Sequence, residues 1–224
     1  MTEAKVIPID YEKRIREKLI SATGTVLARV GFERLDEDLV AREAGVAAGN
    51  IRRCFGGLDG LITAFGQSEV FWPSARELIR ETRGDFSELS AEQQIAAFYK
   101  SLLTALRRRP LAMDILAWES LERNEYSCRL EEIRVRISLE YFENLQGEIP
   151  EGTDLSAIVA ILAGAVQFLA VRTRRSAHYG GIDLKSEKGW RRIEAAIDAL
   201  VSGSLTASGG DGGVAGFFSG QTPR

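Results

Sequence analysis

The chain has 224 residues, of which 45% are hydrophobic and 27% charged, with a formal net charge of −3. This composition suits a soluble globular protein of one large or two modest domains. The net charge is not the strongly positive one that would by itself indicate nucleic-acid binding. Residues 1–66 contain ten basic and ten acidic residues, so any DNA-binding function must depend on local geometry.

The spacing of hydrophobic residues predicts an all-α protein. Alternating runs of β-branched residues, which strands need, are hard to find in the chain. Cys54 and Cys128 are far apart and belong to no C-x-x-C motif, so neither a disulfide framework nor a zinc site is indicated. The first 18 residues lack the apolar core of a secretory signal. We therefore expect a cytoplasmic protein.

The N-terminal part is predicted to form a head of three helices followed by a connecting helix. The expected spans are 10–30, 36–44, 47–54 and a helix from 58. Asp36 is a suitable N-cap for the second helix, and Gly45 supplies the turn before the third. Pro73 interrupts the pattern, which places a domain junction between residues 66 and 74.

The rest of the chain predicts further helices, for a total of nine or ten. One starts at a capping box, Ser90 with Gln93, and another at Pro110. Three more are expected over 126–146, 154–177 and 185–202. The most apolar segment, 155–171, is 17 residues long, the lower limit of a membrane span, and a helix contacted by protein on all sides is favoured.

Three regions follow from this pattern. Residues 10–66 are predicted to form one helical domain and residues 74–202 a second, larger helical domain. Residues 203–224 are rich in glycine and poor in charge, and we expect this tail to be disordered.

The stretch AREAGVAAGNIRRCF, residues 41–55, contains two short helical segments joined at Gly45. On a helical wheel Ile51 and Phe55 face a core, whereas Arg53 lies on the opposite side with Arg52 at its flank. Arginine can bond guanine in the major groove, asparagine can bond adenine, and a small apolar side chain can contact a thymine methyl. The candidate DNA-binding residues are Ala47, Ala48, Gly49, Asn50, Arg52 and Arg53. The alternative is that both arginines solvate an ordinary helix.

The N-terminal sequence resembles the TetR family of transcriptional regulators. The matching residues keep the family's spacing without gaps between residues 14 and 65: Leu19, Ala22, Leu27, Gly31-Phe32, Val40-Ala41, Ala44-Gly45-Val46, Gly49, Ile51, Phe55 and Leu61. The resemblance implies that residues 10–66 form a helix-turn-helix DNA-binding domain with a three-helix head. It also implies that residues 74–202 form a larger helical ligand-binding and dimerisation domain. It also implies a homodimeric regulator, usually a repressor, that leaves a palindromic operator when a small molecule binds.

The chain departs from the family pattern at several positions. Arg52 stands in place of a phosphate-contacting tyrosine, Leu58 in place of a frequent lysine, and Ala47-Ala48 in place of a common Ser-Lys. Asp36, Glu37 and Asp38 put acidic side chains at the start of the second helix, where they repel phosphate. An alternative function is therefore a TetR-like dimer that has lost operator binding and acts as a ligand or protein-interaction module.

An enzyme is the other alternative considered. The candidate catalytic residues would be His178 beside Tyr179, or carboxylates such as Glu119 and Glu122. His178 is expected at the end of a helix. Glu131 and Glu132 are expected to pair with Arg134 to Arg136 on a solvated face. No Walker loop, dinucleotide fingerprint or metal-spaced cluster occurs in the sequence, so we expect no catalytic activity and no cofactor or metal.

The second domain is expected to hold the dimer interface and the effector site. The interface is predicted on the helices at 154–177 and 185–202, with burial inside one subunit as the alternative. A mostly apolar effector pocket is predicted from aromatic and flexible side chains around one amide. Its candidate residues are Phe98, Leu102, Met113, Leu116, Trp118, Gln167 and Phe168.

Overall fold

The computed structural model describes residues 9–82, 85–147 and 149–206. Within these ranges the chain forms ten α-helices, one short 3₁₀ helix and one two-stranded hairpin. The α-helices are α1 (Ile9–Val30), α2 (Glu37–Ala44), α3 (Gly49–Phe55), α4 (Leu58–Gly66), α5 (Ala75–Arg80), α6 (Ala91–Arg107), α7 (Pro110–Glu119), α8 (Glu125–Glu143), α9 (Leu155–Arg172) and α10 (Glu187–Thr206). The predicted all-α fold is confirmed.

Helices α1, α2 and α3 occupy the spans predicted for the three-helix head, and α4 occupies that of the connecting helix. The Asp36 carboxylate caps α2 by accepting a 2.7 Å hydrogen bond from the Leu39 amide. Gly45 adopts a φ of 66°, the left-handed conformation that a side chain would disfavour, and so permits the tight turn towards α3. Helix α3 begins at Gly49, two residues later than predicted, because Ala47 and Ala48 form the turn that precedes it.

The chain divides into two compact units that are not continuous in sequence. Among the described residues, unit 1 contains those up to Pro73 together with Arg109–Ile137, and unit 2 contains Ser74–Arg108 and those from Ser138 to residue 206. In unit 1, α7 packs on α1, and the Trp118 indole donates a 3.1 Å hydrogen bond to the Ala28 carbonyl. The continuous domains 10–66 and 74–202 stay a prediction about which segments function together.

Unit 1 contains a buried ion pair. Arg134 Nη1 lies 2.6 Å from Glu119 Oε1, and each side chain is only 10% exposed. The Arg134 guanidinium also lies 5.3 Å from the ring centre of Trp72. Burial raises the pKa of the Glu119 carboxyl, and the charge of Arg134 opposes that rise. The expected solvated pairing of Arg134 is therefore wrong, and Glu131 instead pairs with Arg123.

Unit 2 is organised around α6, which is buried along most of its length. Its capping box is present as predicted, with Ser90 and Gln93 bonding each other's backbone. The Tyr99 hydroxyl donates to the Val159 carbonyl of α9 at 2.9 Å. The Tyr141 hydroxyl donates to the Gln94 carbonyl at 3.0 Å. Burial raises the pKa of both tyrosines, so they remain neutral donors that fix neighbouring segments to α6.

The end of the chain differs from the prediction in two places. Helix α9 ends at Arg172, five residues early, and a hairpin of β1 (His178–Tyr179) and β2 (Ile182–Asp183) follows it. His178 thus lies in a strand and not at a helix end. Helix α10 continues to Thr206, so residues 203–206 of the predicted disordered tail are helical. The remaining tail, 207–224, lies outside the described residues.

Helix α9 is largely uncovered within one chain. Among the described residues it is the one helix long and apolar enough to cross a membrane by length and composition, yet only 22% of that segment is buried. The expectation of protein contact on all sides is therefore not met inside a single subunit. Its buried residues form one stripe, which contains Leu162, Val166 and Ala170.

We expect the buried ion pair to be sensitive to the loss of one partner. The substitution Glu119→Leu should lower the free energy of unfolding by about 3–5 kcal/mol, because it removes the carboxylate that lies 2.6 Å from the buried Arg134 guanidinium. The double variant Glu119→Leu/Arg134→Met should recover most of that loss, since it removes both charges. Urea denaturation of the three proteins measures this, and a double variant as unstable as the single one would contradict the interpretation.

Candidate nucleic-acid interface

Helix α3 presents one buried and one exposed face, as its sequence predicts. Ile51 is fully buried, Cys54 is buried and Phe55 is half-buried. Arg52 and Arg53 are both exposed. The apolar residues therefore fix the rotation of the helix, and that rotation directs both arginines to solvent.

The two arginines line a shallow depression of about 430 Å³. Its other lining residues are Ala48, Gly49 and Glu37. We call this surface the α3 depression. Four of the six candidate DNA-binding residues thus lie together on one surface, and Ala47, which is exposed, precedes them at the start of the turn.

Asn50 has a structural contact that the sequence did not indicate. Its side-chain amide nitrogen donates a 3.0 Å hydrogen bond to the Ala47 carbonyl. One of its two amide protons is therefore used to hold the first turn of α3. The oxygen and the second proton are the groups with which Asn50 could contact a base.

The three acidic residues at the start of α2 have different environments. Asp36 is occupied as the N-cap, and Asp38 is exposed. Glu37 is half-buried and is the acidic residue that lines the α3 depression with the arginines. Only Glu37 therefore adds a negative charge directly beside the candidate base-contacting surface.

Arg16 of α1 is a further residue of this region that the sequence reasoning missed. Its guanidinium donates to the Cys54 carbonyl near the end of α3 and lies 4.3 Å from the ring centre of Phe55. A cation at the C-terminal end of a helix is favourable because the free carbonyls carry partial negative charge. The sequence shows no signal for this contact, since 38 residues separate Arg16 from Cys54.

Glu122 anchors the turn between α1 and α2. Its Oε2 accepts hydrogen bonds from the backbone amides of Phe32 at 2.5 Å and Glu33 at 3.1 Å. Gly31 lies at this contact with a φ of 79°, and a Cβ there would come within 2.6 Å of the carboxylate. The sequence offers Glu122 as a candidate catalytic carboxylate. In the structure it instead binds the backbone between α1 and α2, the first helix of the helix-turn-helix.

The predicted effector residues are divided between the two units. Phe98 and Leu102 are buried on α6 in unit 2, and the Phe98 ring lies 4.8 Å from that of Tyr141. Met113, Leu116 and Trp118 belong to α7 in unit 1.

On α9, in unit 2, Gln167 is half-buried and Phe168 is exposed. The Phe168 ring lies 5.2 Å from that of Tyr179. A pocket shared by all seven residues stays a prediction.

Comparison with known proteins supports the helix-turn-helix assignment. No protein-family model matches the chain. A 47-residue segment is 47% identical to the HTH-type transcriptional regulator BetI of Vibrio vulnificus strain YJ016 and covers 21% of this chain. The matched segment spans 24% of that relative's length.

Solved structures match most of the chain. A TetR-like transcriptional regulator from Rhodococcus sp. RHA1 aligns over 90% of this chain and 100% of its own, with a TM-score of 0.60 and 17% identity. FadR of Bacillus subtilis, in complex with stearoyl-CoA, aligns over 85% and 97% with a TM-score of 0.58 and 15% identity. At these identities the matches establish the fold. The chain has the fold of the TetR family of transcriptional regulators, as its N-terminal residues predict. The matched proteins named here are transcriptional regulators and not enzymes.

The anchoring role of Glu122 can be tested by its removal. The substitution Glu122→Ala should lower the free energy of unfolding by about 1.5–3 kcal/mol, because two backbone amides lose a charged acceptor. Glu122→Gln keeps an acceptor oxygen without the charge and should cost less. Thermal and urea denaturation measure both, and equal stability of Glu122→Ala and the wild type would refute the anchor.

Proposed function

We propose that this protein is a homodimeric, ligand-responsive DNA-binding transcriptional regulator, a repressor that a small effector releases from a palindromic operator. The observation that carries the proposal is the exposed Arg52–Arg53 face of α3, held outward by the buried Ile51. In a helix-turn-helix this face is the one that enters the major groove.

The arginines supply two different kinds of contact. By helical spacing Arg53 lies opposite the buried Ile51, and we propose that it reads a guanine edge. Arg52 lies at the flank, where it would contact phosphate and fix the register of the protein on the duplex. Glu37 beside them would repel phosphate but could accept a hydrogen bond from a cytosine amino group.

Dimerisation is proposed through α9 and α10. The exposed residues of α9 are small or apolar and recur at helical spacing opposite its buried stripe. They are Ala157, Ala160, Ile161, Gly164, Ala165 and Phe168. Leu200 is also exposed on α10. A contiguous apolar surface of this kind marks an interaction site in a soluble protein, and a second copy of the chain would cover it.

The effector is proposed to be a small molecule bound in the second domain. The structure of FadR with stearoyl-CoA supports a long apolar effector as one candidate class. The proposed lining in unit 2 is Phe98, Leu102, Gln167 and Phe168, and the contribution of Met113, Leu116 and Trp118 stays a prediction from the sequence. A regulator that acts on DNA in this way would be located in the cytoplasm.

The proposed function is tested by selecting bound sequences from random double-stranded DNA and measuring their affinity by electrophoretic shift. We expect recovery of a palindrome whose half-sites lie about 34–36 Å apart or a multiple of that distance, because a twofold dimer meets successive major grooves on one face. A folded dimer that shifts no DNA even at low salt would favour the alternative, a TetR-like dimer without operator binding.

The two proposed roles predict that alanine substitution of Arg53 and of Arg52 will affect DNA binding differently. Arg53→Ala should remove about 1–3 kcal/mol of discrimination at one base pair of each half-site, because a base contact is lost. Arg52→Ala should weaken binding to all DNA alike and reduce the salt slope by about 1 per half-site, because one phosphate contact is lost. Titrations at several salt concentrations on the selected operator and on scrambled DNA measure both effects.

A specific result would contradict this division. If both variants weaken binding to operator and to scrambled DNA equally, Arg53 is a second phosphate contact. If neither variant changes binding, α3 does not enter the groove.

The dimer proposal predicts that a charge on the exposed face of α9 separates the subunits. Ile161 is 70% exposed in the single chain, and Ile161→Glu should give a monomer of 24.6 kDa at micromolar concentration. A stable interface of this type usually buries over about 2,000 Å² in total, and a buried glutamate would be uncompensated. Analytical ultracentrifugation of the variant and the wild type gives the masses.

Leu121→Glu provides the matched control, because Leu121 is 78% exposed and lies outside α9 and α10. This variant should remain dimeric. A monomeric wild-type protein, or an Ile161→Glu variant that stays dimeric, would rule out this interface.

A further inference from the structure

Unit 2 contains a strongly basic segment that the proposed function does not use. Residues 172–192 include seven Lys or Arg residues and two acidic residues, a net charge of +5 in a chain whose net charge is −3. All seven basic side chains are exposed: Arg172, Arg174, Arg175, Lys185, Lys188, Arg191 and Arg192. Positive charge is thus concentrated where α9 ends, the hairpin follows and α10 begins.

Two hydrogen bonds hold these three elements together as one surface. Lys185 Nζ donates a 2.8 Å hydrogen bond to the Thr173 carbonyl, just past the end of α9. Arg192 Nη1, on α10, donates a 3.3 Å hydrogen bond to the Gly181 carbonyl at the tip of the hairpin. We call the surface formed by residues 172–192 the hairpin surface.

Both acidic residues of the hairpin surface are already engaged. Asp183 Oδ1 accepts a 2.8 Å hydrogen bond from the Lys185 backbone amide. Glu187 pairs with Arg107 of α6. Arg107, and more weakly Arg191, hold the pKa of the Glu187 carboxyl below its usual range. One of the two acids is therefore paired with a cation that lies outside the hairpin surface.

The basic residues differ in how far the protein compensates them. Arg172 and Lys185 lie at the C-terminal end of α9, where a cation is favourable. Lys188 and Arg191 lie at the N-terminal end of α10, whose partial charge is positive and opposes them. Neither forms an ion pair with a described residue, and the same holds for Arg175. These three charges are left for a partner of opposite sign.

Duplex DNA is the partner whose chemistry fits this surface. It carries one negative charge per about 1.7 Å of its axis, so several exposed cations can each meet a phosphate. Five of the seven basic residues are arginines, whose planar guanidinium matches phosphate oxygens. The hairpin tip is Gly180-Gly181, with φ values of 56° and 74°. A Cβ at either glycine would meet no atom within 4 Å, so a DNA backbone can approach the tip closely.

An anionic membrane would also attract these charges, but the hairpin lacks the features of a membrane-binding segment. Such segments insert large apolar side chains between the lipid headgroups, whereas the hairpin tip consists of two glycines. The Tyr179 ring beside the tip lies 5.2 Å from the Phe168 ring of α9. We infer that the hairpin surface is a second DNA-contacting surface, whose Arg175, Lys188 and Arg191 bind phosphates without reading the sequence.

This assignment rests on the proposed function, because it adds a second contact to the same DNA partner. It is compatible with the proposed dimer. At about 100° per residue, Arg191 lies on the side of α10 opposite the exposed Leu200. Arg175 lies beyond Arg172, the last residue of α9. A second copy of the chain on the α9 face would therefore leave both arginines accessible.

Fluorescence anisotropy titrations of the full-length protein with a scrambled DNA duplex, at several salt concentrations, test the hairpin surface. The double variant Lys188→Gln/Arg191→Gln should bind at least about tenfold more weakly than the wild type near 0.1 M salt. Its salt slope should fall by about 2 per chain, since each phosphate contact contributes about 0.9. The loss should be the same on the selected operator, because phosphates carry no sequence information.

Arg76→Gln/Arg80→Gln is the matched control. Both arginines are exposed on α5, in unit 2 and outside the hairpin surface. This variant removes the same charge and should bind DNA as the wild type does. Thermal melting without DNA separates binding from a structural role. Lys188→Gln/Arg191→Gln should melt no lower than the wild type, since it removes positive charge from the N-terminal end of a helix.

Three results would overturn the assignment. They are wild-type DNA affinity in Lys188→Gln/Arg191→Gln, an equal loss in the control variant, which would mean diffuse attraction, and a loss of binding only to phosphatidylserine vesicles, which would identify a membrane surface.

The outcome for the proposed function is separate. Wild-type affinity of Lys188→Gln/Arg191→Gln for a selected operator would reject the hairpin surface and retain the regulator. A loss in that variant, with no change in Arg52→Ala and Arg53→Ala, would retain the hairpin surface and reject the proposed contact of α3.

Discussion

The geometry of the helix-turn-helix depends on the contact between the segment 109–137 and the end of α1. There the Trp118 indole bonds the Ala28 carbonyl, and the Glu122 carboxylate bonds the amides of Phe32 and Glu33. These bonds satisfy backbone groups that the end of α1 and the following turn would otherwise leave unpaired. They set the direction in which the chain enters α2, and therefore the position of α3.

Residues 1–66 have no net charge, yet the α3 depression is lined by two arginines and a single acid, Glu37. Asp36 is turned to the backbone of α2, and Glu43 pairs with Arg29 at 2.8 Å. Arg52 and Arg53 remain exposed on α3. Local geometry thus separates charges that composition averages to zero, and the proposed DNA contact depends on this separation.

The second unit leaves the exposed face of α9 to solvent. This face is apolar and consists largely of small residues, which allow the close approach of another helix. An apolar face gains free energy from any well-fitting apolar partner.

The sequence by itself determined where most helices lie, because periodicity, caps and turns act over a few residues, but it did not show the hairpin that follows α9. The cap at Asp36, the turn at Gly45, the capping box at Ser90 and the two faces of α3 were all predicted correctly. Tertiary structure alone decided which residues became buried or paired across long separations. Glu119 with Arg134, Arg16 with Cys54 and Glu122 with Phe32 could not be predicted, since 15 to 90 residues separate the partners. Hydrophobic periodicity also cannot show whether an apolar helix such as α9 is covered by its own chain, because the same pattern serves a core and an interface.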